Sequence, residues 1–587
     1  MSLNSTLSDL FRNFAGIMEI LGANPFKAIA FSKISRILKD LTFDIRTAVE
    51  ENRVGEIEGI GESSRRIIEQ FVREGKSKDY DEVCASVPPG LAEMLGIPGM
   101  GPKTISLLWK ERGITSIDEL LKAIEEGKLA GVKGLGPKKI QSIKEGIAMR
   151  ATASLRRGIA EVLPIAEAMV AKLKAMKNVK DVQFAGSLRR GRETIGDVDL
   201  VCSVTSAPQC VADAFVKMPE VEKILGHGST KASVMTWPGL QMDLRIVPVD
   251  NFGAALLYFT GSKDHNIKLR GMAQDNGWTL NEWGLYDNKA FDTAKKETGS
   301  PPELEPLAGK TEESIYKKFG LEFIEPELRE DRGEVELAKQ KKLPKLIAIA
   351  DIRGDLHTHT TASDGIESIK GMAEAAAARG YEFLAITDHS KSQVIANGLT
   401  AERLLKHVKE IRKASGKYGI QLLAGCEVDI LVDGRLDFED AVLAELDWVV
   451  ASPHISLKQD ETKATDRILR AIETKYVNII GHPTGRLING RAGLPVNFSK
   501  ILKTAAATGT AMEINSGWPR LDLNDVNARA ALEAGVLLSI NTDAHSIEDF
   551  NQLHWGITVA KRAGATKENV INCMTFGQLQ KFIQRKR

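Results

Sequence analysis

The chain has 587 residues, 79 Lys+Arg against 78 Asp+Glu and 43% hydrophobic residues. At about 150 residues per domain this implies three to five domains, excludes a disordered or acidic-tail protein, and at a net charge of +1 gives no sign of a uniformly basic nucleic-acid binder. Five Cys without a CxxC pair, no apolar run near the ~20 residues of a membrane span, and an N-terminus without signal-peptide order together lead us to expect a soluble cytoplasmic protein.

Two asymmetries lie under the flat average. Residues 101–200 carry 19 Lys+Arg and 12 Asp+Glu, whereas residues 301–340 carry 6 and 11. Eight of the ten His lie after residue 350. The first asymmetry points to a polyanion in the N-terminal part and the second to metal chemistry in the C-terminal part.

Residues 1–150 read as helices, with apolar residues recurring at three and four, as in Leu7, Leu10, Phe11 and Phe14. An apolar-Gly-apolar-Gly pattern repeats three times, in EGIGESSRRI (58–67), PGMGPKTISLL (98–108) and KGLGPKKIQSI (133–143). A glycine turn between helices lets backbone N–H groups approach a phosphate, and the following helix N-terminus adds positive dipole. One copy is as readily an ordinary turn. Three copies, two followed by Pro-Lys, make Gly59, Gly61, Gly99, Gly101, Lys103, Gly134, Gly136 and Lys138 candidate DNA-backbone contacts. The repeats resemble the helix-hairpin-helix family.

From residue 151 an amphipathic helix (155–176) precedes strand-like runs at 181–186, 197–204 and 241–247, and a helix-rich stretch with turns follows to about 325. In GSLRRGRETIGDVDLV (186–201), Asp197 and Asp199 stand two apart on a strand and so face one way. Two carboxylates on one face can bridge two Mg²⁺ ions, with a third, Asp243, coming from a neighbouring strand. Gly186 and Ser187 offer donors to phosphate, and Arg190 a fork-shaped cation. A bare DxD is more often a solvated turn. The upstream Gly-Ser and the third Asp decide against that here.

These segments resemble the nucleotidyltransferase signature of polymerase beta. YFTGSKDHNIKLR (258–270), GWTLNEWGLY (277–286) and LEFIEPELRE (321–330) are similar to the thumb of family X DNA polymerases. The resemblance implies that Asp197 and Asp199 bind both metals (Mg²⁺ or Mn²⁺), and that Asp243 binds the catalytic one and polarises the primer 3′-OH. It implies that Ser187, Arg190 and Gly196, with Arg156 as a lesser candidate, hold the triphosphate. Tyr258, Phe259 and Gly261 would line the sugar pocket, Asn266 would reach the base and Arg270 the template. One position departs from the family. The Schiff-base lysine of its deoxyribose-phosphate lyase would fall on Ile67, which cannot form an imine.

Residues 322–345 are charged with few apolar anchors and read as a linker. Beyond it seven apolar runs, at 346–352, 383–387, 421–425, 448–452, 477–481, 511–515 and 536–541, alternate with helical stretches and suggest a parallel αβ barrel. Polar residues follow these runs: His357, His359 and Asp364, then His389, Glu427, His454, His482, and last Asp543 and His545. Strand ends converge on one mouth of such a barrel. Nine N and O ligands there could hold two or three Zn²⁺, Mn²⁺ or Fe²⁺ ions. His407 and His554 read as structural. The set HxH(x)₄D, TDH, GHP and NTDAH resembles the polymerase and histidinol phosphatase (PHP) family, in which Asp388 would be a supporting or general-base residue.

The expected fold class is therefore multidomain α+β and α/β: helix-hairpin-helix domains, a polymerase beta-like palm and thumb, and a C-terminal distorted (β/α)7 barrel. The expected boundaries are 1–85, 86–152, 153–250, 251–330, a linker at 331–349, and 350–587. The expected function is gap-filling DNA polymerase with a metal-dependent 3′→5′ exonuclease, acting as a monomer on gapped or primer-template DNA with dNTP and without a membrane. A small-molecule phosphoesterase with an accessory nucleotidyltransferase-like domain is the enzyme alternative. A non-catalytic DNA-binding scaffold is the other, and it would lack the carboxylates that are present.

Overall fold

The structure, a computed structural model, describes residues 3–585 apart from 24, 42–44, 58, 98–99, 130–131, 133, 138, 142, 145–146, 148–155, 238 and 299–303, and without the side chains of 5, 39 and 40. The chain forms two compact units, Met1–Leu155 and Arg156–Arg587. No helix among the described residues is long and apolar enough to cross a membrane.

In the first unit, helices Leu3–Leu21 and Pro25–Asp40 bury the stripe that the sequence spaces at three and four, Leu7, Phe11 and Phe14 against Phe31. Two buried serines tie the pair reciprocally. Ser8 Oγ donates to the Ser35 carbonyl and Ser35 Oγ to the Ser8 carbonyl, each at 2.7 Å. The three hairpins share one backbone pattern. Ile60 N donates to Ile57 O, Met100 N to Ile97 O and Leu135 N to Val132 O. After the second glycine of each copy, the amides of Ser64 and Arg65, Thr104 and Ile105, and Lys139 and Ile140 close on the carbonyls of Gly61, Gly101 and Gly136.

The second unit opens with a five-stranded sheet: β1 (Val179–Phe184), β2 (Asp197–Val204), β3 (Val221–His227), β4 (Lys231–Thr236) and β5 (Leu240–Pro248), in the order β1-β2-β5-β4-β3. Strands β2 and β5 are parallel and interior to the sheet; β2 is apolar and buried over its second half, while β5 alternates buried apolar residues with Gln241, Asp243 and Arg245 on the other face. Strands β3 and β4 were not singled out by the sequence pattern, because β3 is largely exposed and shows no apolar alternation. The stretch read as helices and turns to about 325 holds helices Phe252–Thr260, Lys263–Asp275 and Glu312–Lys318, and also a hairpin of β6 (Trp278–Asn281) and β7 (Gly284–Asp287).

The segment 331–349 is packed rather than a free linker. Helix Glu334–Lys339 buries Val335 and Ala338 in the thumb core, and Glu334 is itself buried against His265 at 2.7 Å. Asp331 and Glu336 pair with Lys268, and Arg332 with Asp525, so charge density alone misread it.

Seven parallel strands follow in sequential order: β8 (Gly354–Thr358), β9 (Phe383–Ile386), β10 (Gln421–Asp429), β11 (Trp448–Ser452), β12 (Ile479–Ile480), β13 (Ala511–Asn515) and β14 (Leu538–Asn541). A bridge between Thr358 and Ala544 brings the first strand to the last and nearly closes the barrel. The first strand differs from the run at 346–352. Residues Ile349–Asp351 form a 3₁₀ turn, and the strand is Gly354–Thr358, whose buried Asp355 and His357 hide it from an apolar count. One hydrophobic cluster contains both palm residues such as Val162 and Leu244 and barrel residues such as Ile386 and Ile540.

Candidate active sites

The palm site begins with register. Asp199 on β2 stands opposite Asp243 on β5, and Asp197 lies two residues earlier on the same face. Burial, then the neighbouring Asp197 and Asp243, push the Asp199 carboxyl up to about 6. A carboxylate so pressed by two neighbouring ones suits a shared divalent cation. Lys231 Nζ stands 3.8 Å from Asp243. Gly186, at positive φ, opens a short helical turn after β1, and a Cβ there would come within 3.0 Å of Asp199 Oδ2.

A cleft of about 620 Å³ runs from Asp197 and Asp199 to the thumb. It is lined by Arg156, Gly186, Ser187, Arg190, Asp197, Asp199, Tyr258, Phe259, Gly261, Asn266 and Arg270, all singled out above, and by Arg192, Thr260 and Lys263, which were not. Gly196 and Asp243 lie outside its lining. Asn266 Nδ2 donates to the Tyr258 carbonyl at 2.7 Å, and Arg245 stacks on Phe259 at 4.8 Å. Arg190 is held by Glu330 at 3.1 Å and by the Thr260 carbonyl at 2.6 Å. Arg189, its sequence neighbour, turns away into a buried pair with Glu312, with contacts at 2.9 and 2.6 Å.

The barrel site draws its residues from the C-terminal ends of the strands. His359, Asp364, His389 and His545 form one group of ligand atoms within 4.8 Å of one another. His357, His359, Glu427 and Asp543 form a second, and His389, Glu427 and His454 a third. His482 Nε2 approaches Glu427 at 2.9 Å. Among the described residues, buried His357 Nε2, His359 Nδ1, His389 Nδ1 and Glu427 Oε2 have no hydrogen-bond partner, which fits lone pairs directed at cations, whereas His482 belongs to none of the three groups. His482 and Asp543 also hold left-handed backbones, with φ of 23° and 54°. Such conformations in residues other than glycine gather at sites where the surroundings over-determine them.

Charge in this cluster is strongly correlated. Against burial, the carboxylates of Glu513, Asp543 and Glu427 hold His357 well above the ordinary imidazole range. Against burial, His454, His357 and His389 hold Glu427 well below the ordinary carboxylate range. Burial and the neighbouring His545 and His389 bring His359 down to about 4.

Several supporting residues carry no motif. Glu513 takes His357 Nδ1 at 2.8 Å and the His482 amide at 2.6 Å. Asp429 takes His454 Nδ1, and Asn515 donates to Asp543 at 3.0 Å. Arg520 lies 4.0 Å from Asp543. Asp388 accepts hydrogen bonds from Thr360, Ser363 and His407, which makes its carboxylate a strut for the 360–363 turn. His407 is structural through that bond, as expected. His554 caps against the Asn551 carbonyl.

Of the hairpin glycines, Gly61, Gly101 and Gly136 have, among the described residues and apart from their chain neighbours, no heavy atom within 4 Å of where a Cβ would stand, and Gly59 and Gly134 take positive φ. Lys103 is exposed on helix Pro102–Arg112. Gly99 and Lys138 lie outside the described residues. Ile67 is buried in the core of its unit.

Family models match four segments: a helix-hairpin-helix domain at residues 2–77, a SAM-like helix-hairpin-helix tandem at 91–149, the DNA polymerase beta thumb at 255–330 and the PHP domain at 355–516. The chain is 38% identical over 579 residues, 98% of each chain, to the DNA polymerase/3′-5′ exonuclease PolX of Bacillus subtilis (strain 168). The chain belongs to the bacterial family X DNA polymerases that carry a PHP domain. Over 244 residues, 40% of this chain and 95% of the relative, it is also 30% identical to a probable phosphatase of Thermoanaerobacter sp. (strain X514). A probable phosphatase of Photobacterium profundum is 28% identical over 238 residues, 37% of this chain and 88% of the relative. Membership of the family X polymerases accounts for the thumb, the hairpins and the barrel together.

Proposed function

We propose that this family X member is a DNA polymerase and 3′→5′ exonuclease that fills short gaps in DNA repair, in the cytoplasm of a bacterial cell. The observation that carries this reading is the presence of both sites in one chain that matches PolX end to end. In this reading Ser187 and Arg190 bind the triphosphate and Tyr258 and Phe259 bound the sugar. Asn266 faces the base, Arg270 the template, and Asp243 orients the primer hydroxyl. Asp197, Asp199 and Asp243 would hold Mg²⁺ or Mn²⁺ at the palm, and His357, His359, Asp364, His389, Glu427, His454, His482, Asp543 and His545 two or three Zn²⁺, Mn²⁺ or Fe²⁺ at the barrel; bound there, the cations would supply charge neutralisation and, at the barrel, activation of water near neutral pH. Each site is assembled within the one chain, which supports action as a monomer. Gly61, Gly101 and Gly136 put no side chain between their backbones and an approaching DNA phosphate.

The test is primer extension and 3′ digestion on a gapped duplex with Mg²⁺ or Mn²⁺. Asp243→Ala should abolish nucleotide addition and spare digestion, while His359→Ala or Asp543→Ala should do the reverse. A folded variant that loses both activities overturns the two-site assignment.

A further inference from the structure

The loop that carries the triphosphate-binding candidates, residues 186–195, is seated on the PHP domain. Arg486 clasps Glu193 with two bonds, at 3.0 and 2.6 Å. Gly191 lies against Thr558 so closely that a Cβ there would stand 2.3 Å from its methyl group. Between these contacts Arg562, on barrel helix Leu553–Ala563, reaches the loop with a side chain only 3% exposed. Arg562 Nη1 donates to the Arg190 carbonyl at 2.6 Å and to Glu330 Oε1 at 2.9 Å. The same Glu330 oxygen accepts from Arg190 Nε at 3.1 Å. Arg562 is fixed in turn by Asp525 of the barrel, whose Oδ2 lies 2.9 Å from Nη2.

These contacts have a directional consequence. Arg190 spends Nε on Glu330 and Nη1 on the Thr260 carbonyl, and the guanidinium lines the palm cleft. A guanidinium is a planar fork whose aim is fixed once two of its nitrogens are bound. Both the backbone of Arg190 and the carboxylate that orients its side chain are gripped by one PHP residue. The cluster also carries more positive than negative charge, since Arg190, Arg192 and Arg562 share Glu330 while Arg562 and Arg332 share Asp525. Part of that excess faces the cleft, where an incoming polyanion would complete the balance.

We propose that Arg562 of the PHP domain is a positioning residue for nucleotide addition, acting through Glu330 and the Arg190 backbone to hold the Arg190 guanidinium toward the triphosphate. The inference rests on the reading of Arg190 as a triphosphate ligand. The PHP domain is then part of the polymerase's nucleotide pocket as well as the seat of a second activity. Arg562 itself belongs to none of the barrel's candidate ligand groups.

The experiment measures KM and kcat for dNTP in gap filling, and the rate of 3′ digestion, on the full chain. Arg562→Ala should raise KM for dNTP about tenfold, with a smaller change in kcat and 3′ digestion within about twofold of the parent. Arg562→Lys, which keeps one donor for Glu330, should recover part of the loss. Glu330→Gln serves as the second variant if Arg562→Ala does not fold, and should raise KM in the same way. Arg190→Ala separates the two readings. If it leaves KM unchanged, the triphosphate role of Arg190 fails. If it raises KM while the Arg562 and Glu330 variants do not, the positioning role fails. Parallel loss of digestion and addition in the Arg562 variants would mean a merely structural contact and would also overturn the proposal.

Discussion

The ligands of the barrel and the residues that hold them differ in how visible they are. His357, His359, His389, His454, His482 and His545 could be picked out because histidine is rare elsewhere in the chain and sits at regular strand ends. Glu513 and Asp429 could not. Glu513 is a single carboxylate inside an apolar strand and Asp429 the last residue of a strand that already holds Glu427, and only the fold shows that each receives the outer nitrogen of a histidine. Such outer carboxylates fix the tautomer and raise the basicity of the ligand, and their loss typically costs 10–100-fold in metal affinity. Glu513→Gln should therefore weaken cation binding at the barrel by roughly that factor. Titration of 3′ digestion against Mn²⁺ would show the shift, with nucleotide addition as the unaffected reference. An unchanged Mn²⁺ requirement would mean that His357 needs no partner behind it.

At the level of elements, the thumb is joined to the palm by buried charge. Glu312, the first residue of helix Glu312–Lys318, sits between Arg189 of the palm and Arg329 at the thumb's end, and its side chain is 4% exposed. Burial alone would raise its carboxyl, but Arg329 and Arg189 hold it below the ordinary range. Glu312→Gln removes the one negative charge between two buried guanidiniums, and breaking such a cluster costs on the order of 3 kcal/mol. The sign of the pH effect follows from the lowered carboxyl. Its contribution is complete above the unfolded glutamate value, about 4.3, and is lost as pH falls through the folded value. Thermal melts taken downward from neutral pH should thus show the variant's deficit large near pH 7 and shrinking in acid. A deficit independent of pH would assign the loss to packing. None of this was legible in the sequence, where Glu312 is one acid among many in an acidic stretch, whereas Asp199 and Asp243 could be paired because alternation along a strand fixes which side chains share a face.

Over the whole molecule, the sequence separated palm, thumb and barrel by texture, and the fold joins them. The segment read as a linker is packed, and one hydrophobic cluster takes in both palm and barrel. Sequence texture reports local periodicity, whereas the seam depends on single residues far apart in the chain. Gly158 is one of them: a Cβ there would lie 1.9 Å from the Trp518 ring of the barrel. The indole would have to swing aside on a backbone whose amide is fixed to Gln552 Oε1, and the contacts around it would shift with it. Gly158→Ala should therefore spread the seam and destabilise the unit by about 1–3 kcal/mol, as overpacking does. Because palm and barrel share their core, the loss should be felt at both active sites, although Gly158 lines neither. Heating the variant and assaying residual addition and residual digestion in parallel checks this. The two activities should decay together, and earlier than in the parent by a few degrees. Decay of addition alone, with digestion as durable as before, would show that the barrel keeps its fold without the palm and that their common core does not make them one cooperative body.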